Sequence, residues 1–532
     1  MTQPTNQGPL TANQQIARAA GTVMFAFIIS NLVGVARGIV ITDAFGTTAN
    51  LDSFNAANRI VEMLFNLVAG GALGSAFIPT FTGFLTREDR AGAWRLASGV
   101  VNLVLLALIL ISVLAWIFSP QIVREGLYIL VPDSDPVQVG LTVNLLRTML
   151  PSVVIFGLSG LVMGILNAHQ VFLVPAIAPA MYSIGMILGT VLLPKEWGVQ
   201  RLAIGVVGGA LMHLLVQLPR LMRLRDRAYH FYLGLRDKAV LAVFRLMGPR
   251  LLGVAVVQIN FIANTIIALG QPEGSVTAIT LAFSLMLMPQ MAVAQSAAIA
   301  SLPTFSAQVA RGEHAEMRHS LASTLRAVLL LAIPASAGLI LLRTPLVALL
   351  YQRGAFTARS TEMVAWALLW YAAGLVGHAL VEILSRAFYA LHDTRTPVIV
   401  GVFAMGLNIG FSLLFSDLFE SIGWMPHGGL ALANSLATAL ESVALLLLMQ
   451  RRLGGLEGGF IWQGVGLSLL GTGAMSAVVL GWMALLDGKS NAAIAGGALA
   501  LGLGAYLGLM WMLKMPELRG MVRVFASRVN RS

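Results

Sequence analysis

Arg37 stands deep in an apolar stretch, within Ser30-Asn31-Leu32-Val33-Gly34-Val35-Ala36-Arg37-Gly38. A guanidinium at the centre of a bilayer costs about 2.5–3.5 kcal/mol on insertion scales, so it is placed where a partner, a wet cavity or an anionic ligand meets it. Asn31 and Gly34 fall near the same helical face. The alternative is an Arg that snorkels from near the outer end of its helix. Arg59 and Glu62 stand three residues apart, which puts them on one face of a second helix. They read either as an ion pair that eases insertion or as a cavity cation tuned by a carboxylate. His378 and Glu382 are four apart, the spacing of a proton relay or of a hydrogen-bonded structural pair. Arg147, His213 and Glu441 are single polar residues in apolar stretches and read as structural. Asn260 and Asn264 share a face and read as interhelical hydrogen bonds.

These residues need a membrane around them, and the composition supplies it. Of 532 residues, 57% are hydrophobic and 11% charged, against roughly a quarter charged in a soluble domain. Too few charges remain to coat a soluble enzyme of this length, and the hydrophobicity excludes disorder. An all-α polytopic membrane protein is what remains. A span needs about 20 apolar residues. Fourteen segments qualify, at roughly 16–45, 55–84, 93–118, 137–168, 172–193, 200–222, 239–269, 276–307, 319–345, 361–391, 397–416, 427–450, 462–486 and 492–514. Turn residues such as Ser119-Pro120, Leu193-Pro194 and Gly270-Gln271-Pro272 punctuate the joins. Residues 1–15 lack a signal peptide's basic and apolar regions and are expected as a cytoplasmic tail. There is no cysteine. No phosphate loop, His-Glu-x-x-His or dinucleotide fingerprint occurs, so neither cofactor nor metal is expected. Gly34/Gly38, Gly70/Gly74, Gly160/Gly164 and Gly205/Gly209 have the spacing of close helix packing.

The net charge is +11, which is a topology signal rather than a nucleic-acid footprint. With the N-terminus cytoplasmic, 23 of the 34 Lys and Arg fall in or beside cytoplasmic segments, 7 on the other side, and four within or at the edges of helices. That bias predicts N-in, C-in and an even number of spans. An internal repeat runs through the chain. Pro79-Thr80-Phe81, Leu96-Ala97-Ser98, Ser119-Pro120, His169 and Pro175 answer Pro303-Thr304-Phe305, Leu321-Ala322-Ser323, Thr344-Pro345, His392 and Pro397 at offsets of 222 to 225 residues. Two parallel six-helix lobes are expected at 16–222 and 239–450, joined by a basic linker at 223–238. Two further helices at 462–514 and a basic tail at 515–532 follow. Parallel repeats of this kind suit alternating access.

Three stretches carry a family resemblance. They are Gly164-Ile165-Leu166-Asn167-Ala168-His169-Gln170-Val171-Phe172 with Pro175-Ala176 and Ala178-Pro179, then Tyr351-Gln352-Arg353-Gly354-Ala355-Phe356-Thr357, then Phe388-Tyr389-Ala390 leading into Asp393-Thr394-Arg395-Thr396-Pro397. With them, most of residues 16–450 resembles the MurJ (MviN) lipid II flippases of the multidrug/oligosaccharidyl-lipid/polysaccharide exporter superfamily. The resemblance implies fourteen spans in a bacterial inner membrane, an undecaprenyl-pyrophosphate-linked peptidoglycan precursor as substrate, and membrane lipids and other cell-wall synthesis proteins as partners. It implies a cationic cavity between the lobes, and a groove for the lipid tail formed by the last two helices. In the first helix, Ser30, Gly34 and Arg37 match the family's Ser-Arg-x-x-Gly-x-x-Arg-Asp, while Asn31 and Gly38 replace its first Arg and its Asp. Leu51-Asp52-Ser53-Phe54 stands for Thr-Asp-Ala-Phe, and Arg59 for the basic residue of the second helix. A later Arg aligns near Phe65 or Asn66. Ala282-Phe283-Ser284-Leu285-Met286-Leu287-Met288-Pro289 replaces Ala-Asp-Arg-Leu-x-x-x-Pro, and Glu382 stands where the family has a basic residue.

The leading expectation is a lipid II flippase, not an enzyme, in which Arg37 and Arg59 bind the pyrophosphate and Asn31, Asp52 and Glu62 shape the site. Export of another lipid-linked glycan or amphiphile, and a non-transporting scaffold for envelope assembly, are the alternatives.

Overall fold

The computed structural model describes residues 12–68, 71–131, 133–224, 227–486 and 488–515. The expected N-terminal tail through residue 11, Gly70, Arg225 and all of the basic tail but Met515 lie outside them. The described residues are helical nearly throughout, as lipid demands: with no water to serve backbone N–H and C=O groups, a spanning segment must satisfy them internally. In chain order the helices are α1 (Ala12–Phe45), α2 (Ala49–Val68), α3 (Gly71–Thr86), α4 (Arg90–Ile117), α5 (Ser119–Gln121), α6 (Pro136–Ala168), α7 (Leu173–Leu192), α8 (Gln200–Leu215), α9 (Leu218–Met222) and α10 (Lys238–Leu269). Then come α11 (Ser275–Gln290), α12 (Ser296–Ala310), α13 (His314–Tyr351), α14 (Ala358–Ala373), α15 (Leu375–Ala390), α16 (Arg395–Ser421), α17 (His427–Arg452), α18 (Gly458–Leu485) and α19 (Asn491–Met512). Among the described residues, ten helices are long and apolar enough to cross a membrane, or up to twelve if each of two bent pairs is one span. The expected segments 16–45 and 55–84 fall on α1 and on α2 with α3.

The chain divides into two compact units between Ile266 and Ile267. In the first, α7 and α8 approach so closely that a Cβ on Gly185 would meet Gly209 Cα at 2.2 Å, and one on Gly189 would meet Gly205 Cα at 2.5 Å. The Gly205/Gly209 spacing thus does pack helices, and its partner is a second glycine pair one helix earlier. Gly34 has nothing within 4 Å of such a Cβ, so no helix approaches closely at that position. The segment before α10 lies on α4. Asn102 Nδ2 donates to the carbonyls of His230 (3.2 Å) and Tyr232 (2.8 Å), and the Tyr229 hydroxyl donates to Asn102 Oδ1 at 2.5 Å. The His230 N–H donates to Ser98 Oγ at 3.0 Å. His213, Ser159 and Gln217 form a buried polar group, with Ser159 Oγ 2.6 Å from His213 Nδ1 and Gln217 Nε2 donating to Ser159 Oγ at 2.7 Å, a structural role for His213.

In the second unit, α14 and α15 meet at a 45° bend. The bend falls at Gly374, where a Cβ would meet Ser435 Oγ at 2.3 Å. Ser435 Oγ donates to the Trp370 carbonyl at 2.7 Å, serving a backbone group next to the break. The helices α18 and α19 pack on α13 through a core of Leu330, Leu342, Met475, Val479, Tyr506 and Met510. Arg326 is buried in α13. Its guanidinium lies 4.1 Å from the centre of the Phe460 ring, and Gly464 leaves room for its stem.

The repeat reappears in backbone geometry. Left-handed residues recur as Glu88 and Gly312 (φ 60° and 74°), Gln170 and His392 (59° and 58°), and Gly198 and Gly423 (52° and 77°). The second pair corrects the alignment at that turn: Gln170, not His169, answers His392. The resembling stretches are turn chemistry too. Arg353 Nη2 donates to the carbonyls of Leu349 and Leu350 at 2.9 Å, closing the end of α13. Asp393 accepts from the Thr396 N–H (3.1 Å) and hydroxyl (2.8 Å) at the start of α16, and these donors hold its carboxyl below the usual carboxylate range.

The α7–α8 contact yields a test. Gly209→Val places methyls against the Tyr182 backbone, whose carbonyl oxygen lies 2.6 Å from the position of a Cβ. Overpacking of this kind costs about 1–3 kcal/mol. The detergent-purified variant should melt several degrees below the parent protein, whereas Gly34→Val should not.

Candidate functional site

The first unit gathers two of the expected cations on one cluster. Arg59 Nη1 donates to Glu62 Oε2 at 2.9 Å, and Asn58 Nδ2 donates to Glu62 Oε1 at 2.9 Å. The Arg59 guanidinium also lies 4.9 Å from the centre of the Phe261 ring of α10. Helical spacing alone allowed the Arg59–Glu62 pair. Asn58, four residues before Glu62 on the same helix, joins by the same local geometry, and the tertiary fold adds an aromatic face from a distant helix. Cation–π contact is worth about 0.5–2 kcal/mol, enough to bias where the guanidinium points without fixing it.

Arg37 approaches this cluster from α1, half-buried against α7. Its guanidinium lies 5.9 Å from the Tyr182 ring centre, and Nη1 contacts Met186 Sδ at 3.8 Å. Tyr182 in turn lies within electrostatic reach of Glu62 and beside Asn58. It therefore links Arg37 to the Arg59–Glu62 pair. The floor is aromatic: Phe156 of α6 packs against Tyr182 (5.1 Å between ring centres) and against Phe65 of α2 (5.2 Å). The family's later Arg aligns near Phe65, so an apolar contact stands where a cation is expected. Tyr182, Met186 and Phe261 went unseen in the sequence, because only the packing of α1, α7 and α10 brings them near α2; Asn58 is on α2 itself, and its spacing of four from Glu62 was the available signal.

Two other expected residues stay apart. Asn31 is exposed on α1, about 9 Å along the axis from Arg37. Asp52 is buried in the first turn of α2, about 10 Å along the axis from Arg59. A carboxylate there complements the positive end of the helix dipole.

In the second unit, His378 and Glu382 turn to different partners. His378 Nε2 is 3.0 Å from Asn434 Oδ1, with the Phe283 ring 6.3 Å from its own. Glu382 Oε1 accepts from Arg386 Nη2 at 2.7 Å. The relay spacing is present, but its two members are engaged separately. Arg386 is half-buried in α15 and is the residue that balances Glu382. Its spacing of four from Glu382 was the available signal. Where the family carries Asp-Arg, Phe283 packs on Tyr371 at 5.3 Å and the Ser284 hydroxyl donates to the Thr280 carbonyl.

An aromatic-floored guanidinium pair with one carboxylate, inside a bundle of apolar helices, is equipped to hold an anion and not to make or break bonds. Among the described residues, no group of His, Asp and Glu is arranged to hold a metal ion. Known proteins give this arrangement its context. The model of the family described as lipid II flippase MurJ matches residues 41–500. The chain belongs to the lipid II flippase MurJ family. A protein of Burkholderia cenocepacia named lipid II flippase MurJ is 30% identical over 515 residues, covering 93% of this chain and 97% of that one. A solved lipid II flippase MurJ in an inward closed conformation has the same fold, with a TM-score of 0.78 at 24% identity, over 92% of this chain and 98% of that one. An inward-facing multidrug resistance MATE transporter of the MOP superfamily shares the fold more distantly, with a TM-score of 0.67 at 15% identity over 82% and 98% of the two chains. MurJ proteins are multi-pass inner-membrane transporters, not enzymes, and this chain is one of them.

The cluster's charge balance can be measured. Glu62→Gln removes the carboxylate that now occupies Arg59, raising the local charge by one unit. Stabilisation of the purified MurJ-family protein by inorganic pyrophosphate, read as a rise in melting temperature, should then grow a few-fold at equal concentration. Arg37→Gln with Arg59→Gln should abolish it.

Proposed function

We propose that this chain moves lipid II, an undecaprenyl-pyrophosphate-linked peptidoglycan precursor, from the inner to the outer leaflet by alternating access. The observation that carries the substrate reading is the joining of Arg37 and Arg59 through Tyr182 and Glu62 within one unit. A pyrophosphate needs charge-assisted donors, and the planar guanidinium suits phosphate oxygens. Glu62 keeps Arg59 engaged while the site is empty, so the pair need not stay bare in a low-dielectric setting. An arriving pyrophosphate competes with the carboxylate for the same N–H groups.

The orientation N-in, C-in rests on the Lys and Arg bias and is part of the proposal. So is a groove on α18 and α19 for the polyprenyl tail, which can stay among lipid chains while the headgroup crosses. Asn31, at the far end of the Arg37 face, and Asp52, at the mouth of α2, are read as lining the headgroup's path.

The test is complementation of a bacterium depleted of its own lipid II flippase. The parent chain should restore growth. Arg37→Ala combined with Arg59→Ala should not, at equal membrane abundance. Full rescue by the double variant would overturn the residue assignment, and failure of the parent chain to rescue would overturn the substrate.

A further inference from the structure

Arg147 lies outside the cluster just described. On α6, its Nε donates to Ser119 Oγ at 2.7 Å and to the Trp116 carbonyl at 3.3 Å. Its guanidinium lies 4.7 Å from the centre of the Trp116 ring. The side chain is therefore anchored through Nε and one face. Its two terminal nitrogens are left for a ligand, and no carboxylate pairs with Arg147 among the described residues. It lines an open cleft of about 530 Å³ together with Trp116, Leu141, Asn144, Thr148 and Gln200. Gln200 donates to Thr148 across that cleft, so the remaining lining is hydrogen-bonding but uncharged.

The surroundings say what would enter. Leu106, Ile109, Leu110, Val113 and Ile117 of α4 are all exposed, and the stripe ends at the half-exposed Trp116. An apolar stripe capped by a tryptophan is the mark of a lipid-facing helix reaching the headgroup level. A preoriented cation beside the upper end of such a stripe meets lipid headgroups before it meets solutes.

The second unit holds the repeat-related cleft, of about 310 Å³, and it differs in the point that matters. Thr344, Trp366 and Met425 line it at offsets of 222 to 225 from Ser119, Asn144 and Gln200. There Arg343 faces a cleft that also contains Glu362. One cleft carries an uncompensated cation and the other carries both signs.

We propose that the Arg147–Trp116 cleft is a binding site for the phosphate of a membrane lipid whose chains lie along α4. Two donors on one guanidinium suit two oxygens of a phosphate ester. A diacyl phospholipid and a polyprenyl diphosphate share this chemistry. The site depends on the membrane placement of α4 and α6, not on lipid II as the transported substrate.

Trp116 is the reporter. The full chain in maltoside micelles is titrated with phosphatidylglycerol bearing brominated acyl chains, with a brominated diacylglycerol that lacks phosphate, and with a brominated polyprenyl diphosphate. Quenching of Trp116 is isolated by subtracting the Trp116→Phe protein. Phosphate-bearing lipid should half-saturate Trp116 quenching at about tenfold lower mole fraction in the parent than in Arg147→Gln. Arg147→Lys should fall between them, and Arg343→Gln should match the parent. The diacylglycerol should show no dependence on Arg147. Dependence for phosphatidylglycerol assigns the site to bulk phospholipid, and dependence for the diphosphate alone assigns it to the polyprenyl carrier. Equal quenching of the parent, Arg147→Gln and Arg147→Lys by both phosphate lipids would overturn the proposal. Helical circular dichroism of each variant separates loss of binding from loss of fold.

Discussion

A side chain or backbone group that leaves water must find its partner inside the protein, and nearly every notable feature of this molecule answers that demand. The backbone answers it by being helical throughout the described membrane segments. Where the helix breaks at Gly374, the hydroxyl of Ser435 takes up the Trp370 carbonyl. Where helices end, Arg353 closes α13 with two bonds and Asp393 opens α16 with two more. The stretches that made the sequence resemble a family are largely these repairs. They report how the chain turns at the ends of helices, which is why they identify the scaffold so well and the cargo so poorly.

Charges meet the same demand in three ways. Glu62 engages Arg59, and Glu382 engages Arg386, each within one helix. Arg326 is shielded by packing, with Phe460 over its face and Gly464 beneath its stem. Arg37 and Arg147 are each held against an aromatic ring, and among the described residues neither has a carboxylate in an ion pair with it. The last arrangement is the one open to an anion, because the aromatic face orients a guanidinium without neutralising it. The two paired cations are stable but occupied, and an incoming anion must compete for their N–H groups.

The repeat shows how much a duplicated backbone tolerates in its side chains. Turns with left-handed residues recur at offsets of 222 to 225, and so do the clefts formed by equivalent helices. The chemistry on them has separated. An Arg stands over a Trp without a carboxylate in the first unit, and an Arg shares its cleft with Glu362 in the second. Likewise the first unit holds Arg37 and Arg59 about an aromatic floor, while Phe283 and Tyr371 fill the place where the family carries charge in the second.

The all-α membrane class and the ten to twelve spans found among the described residues were legible in the sequence, as was the recurrence of turns at offsets of 222 to 225, since hydrophobic length and turn residues are local properties that survive any packing. The Arg59–Glu62 contact was legible for the same reason: three residues on a helix are neighbours wherever the helix goes. Other features depended on packing between helices. Tyr182 joining Arg37 to Glu62, Phe261 under Arg59, and the Gly185/Gly189 partner of Gly205/Gly209 each need two or more helices at a particular distance and rotation. Spacing allows His378 to answer Glu382, but Asn434 and Arg386 are better placed, one from across the helix interface and one a turn further on. Periodicity specifies which face a residue shares. Only the tertiary structure decides what that face meets.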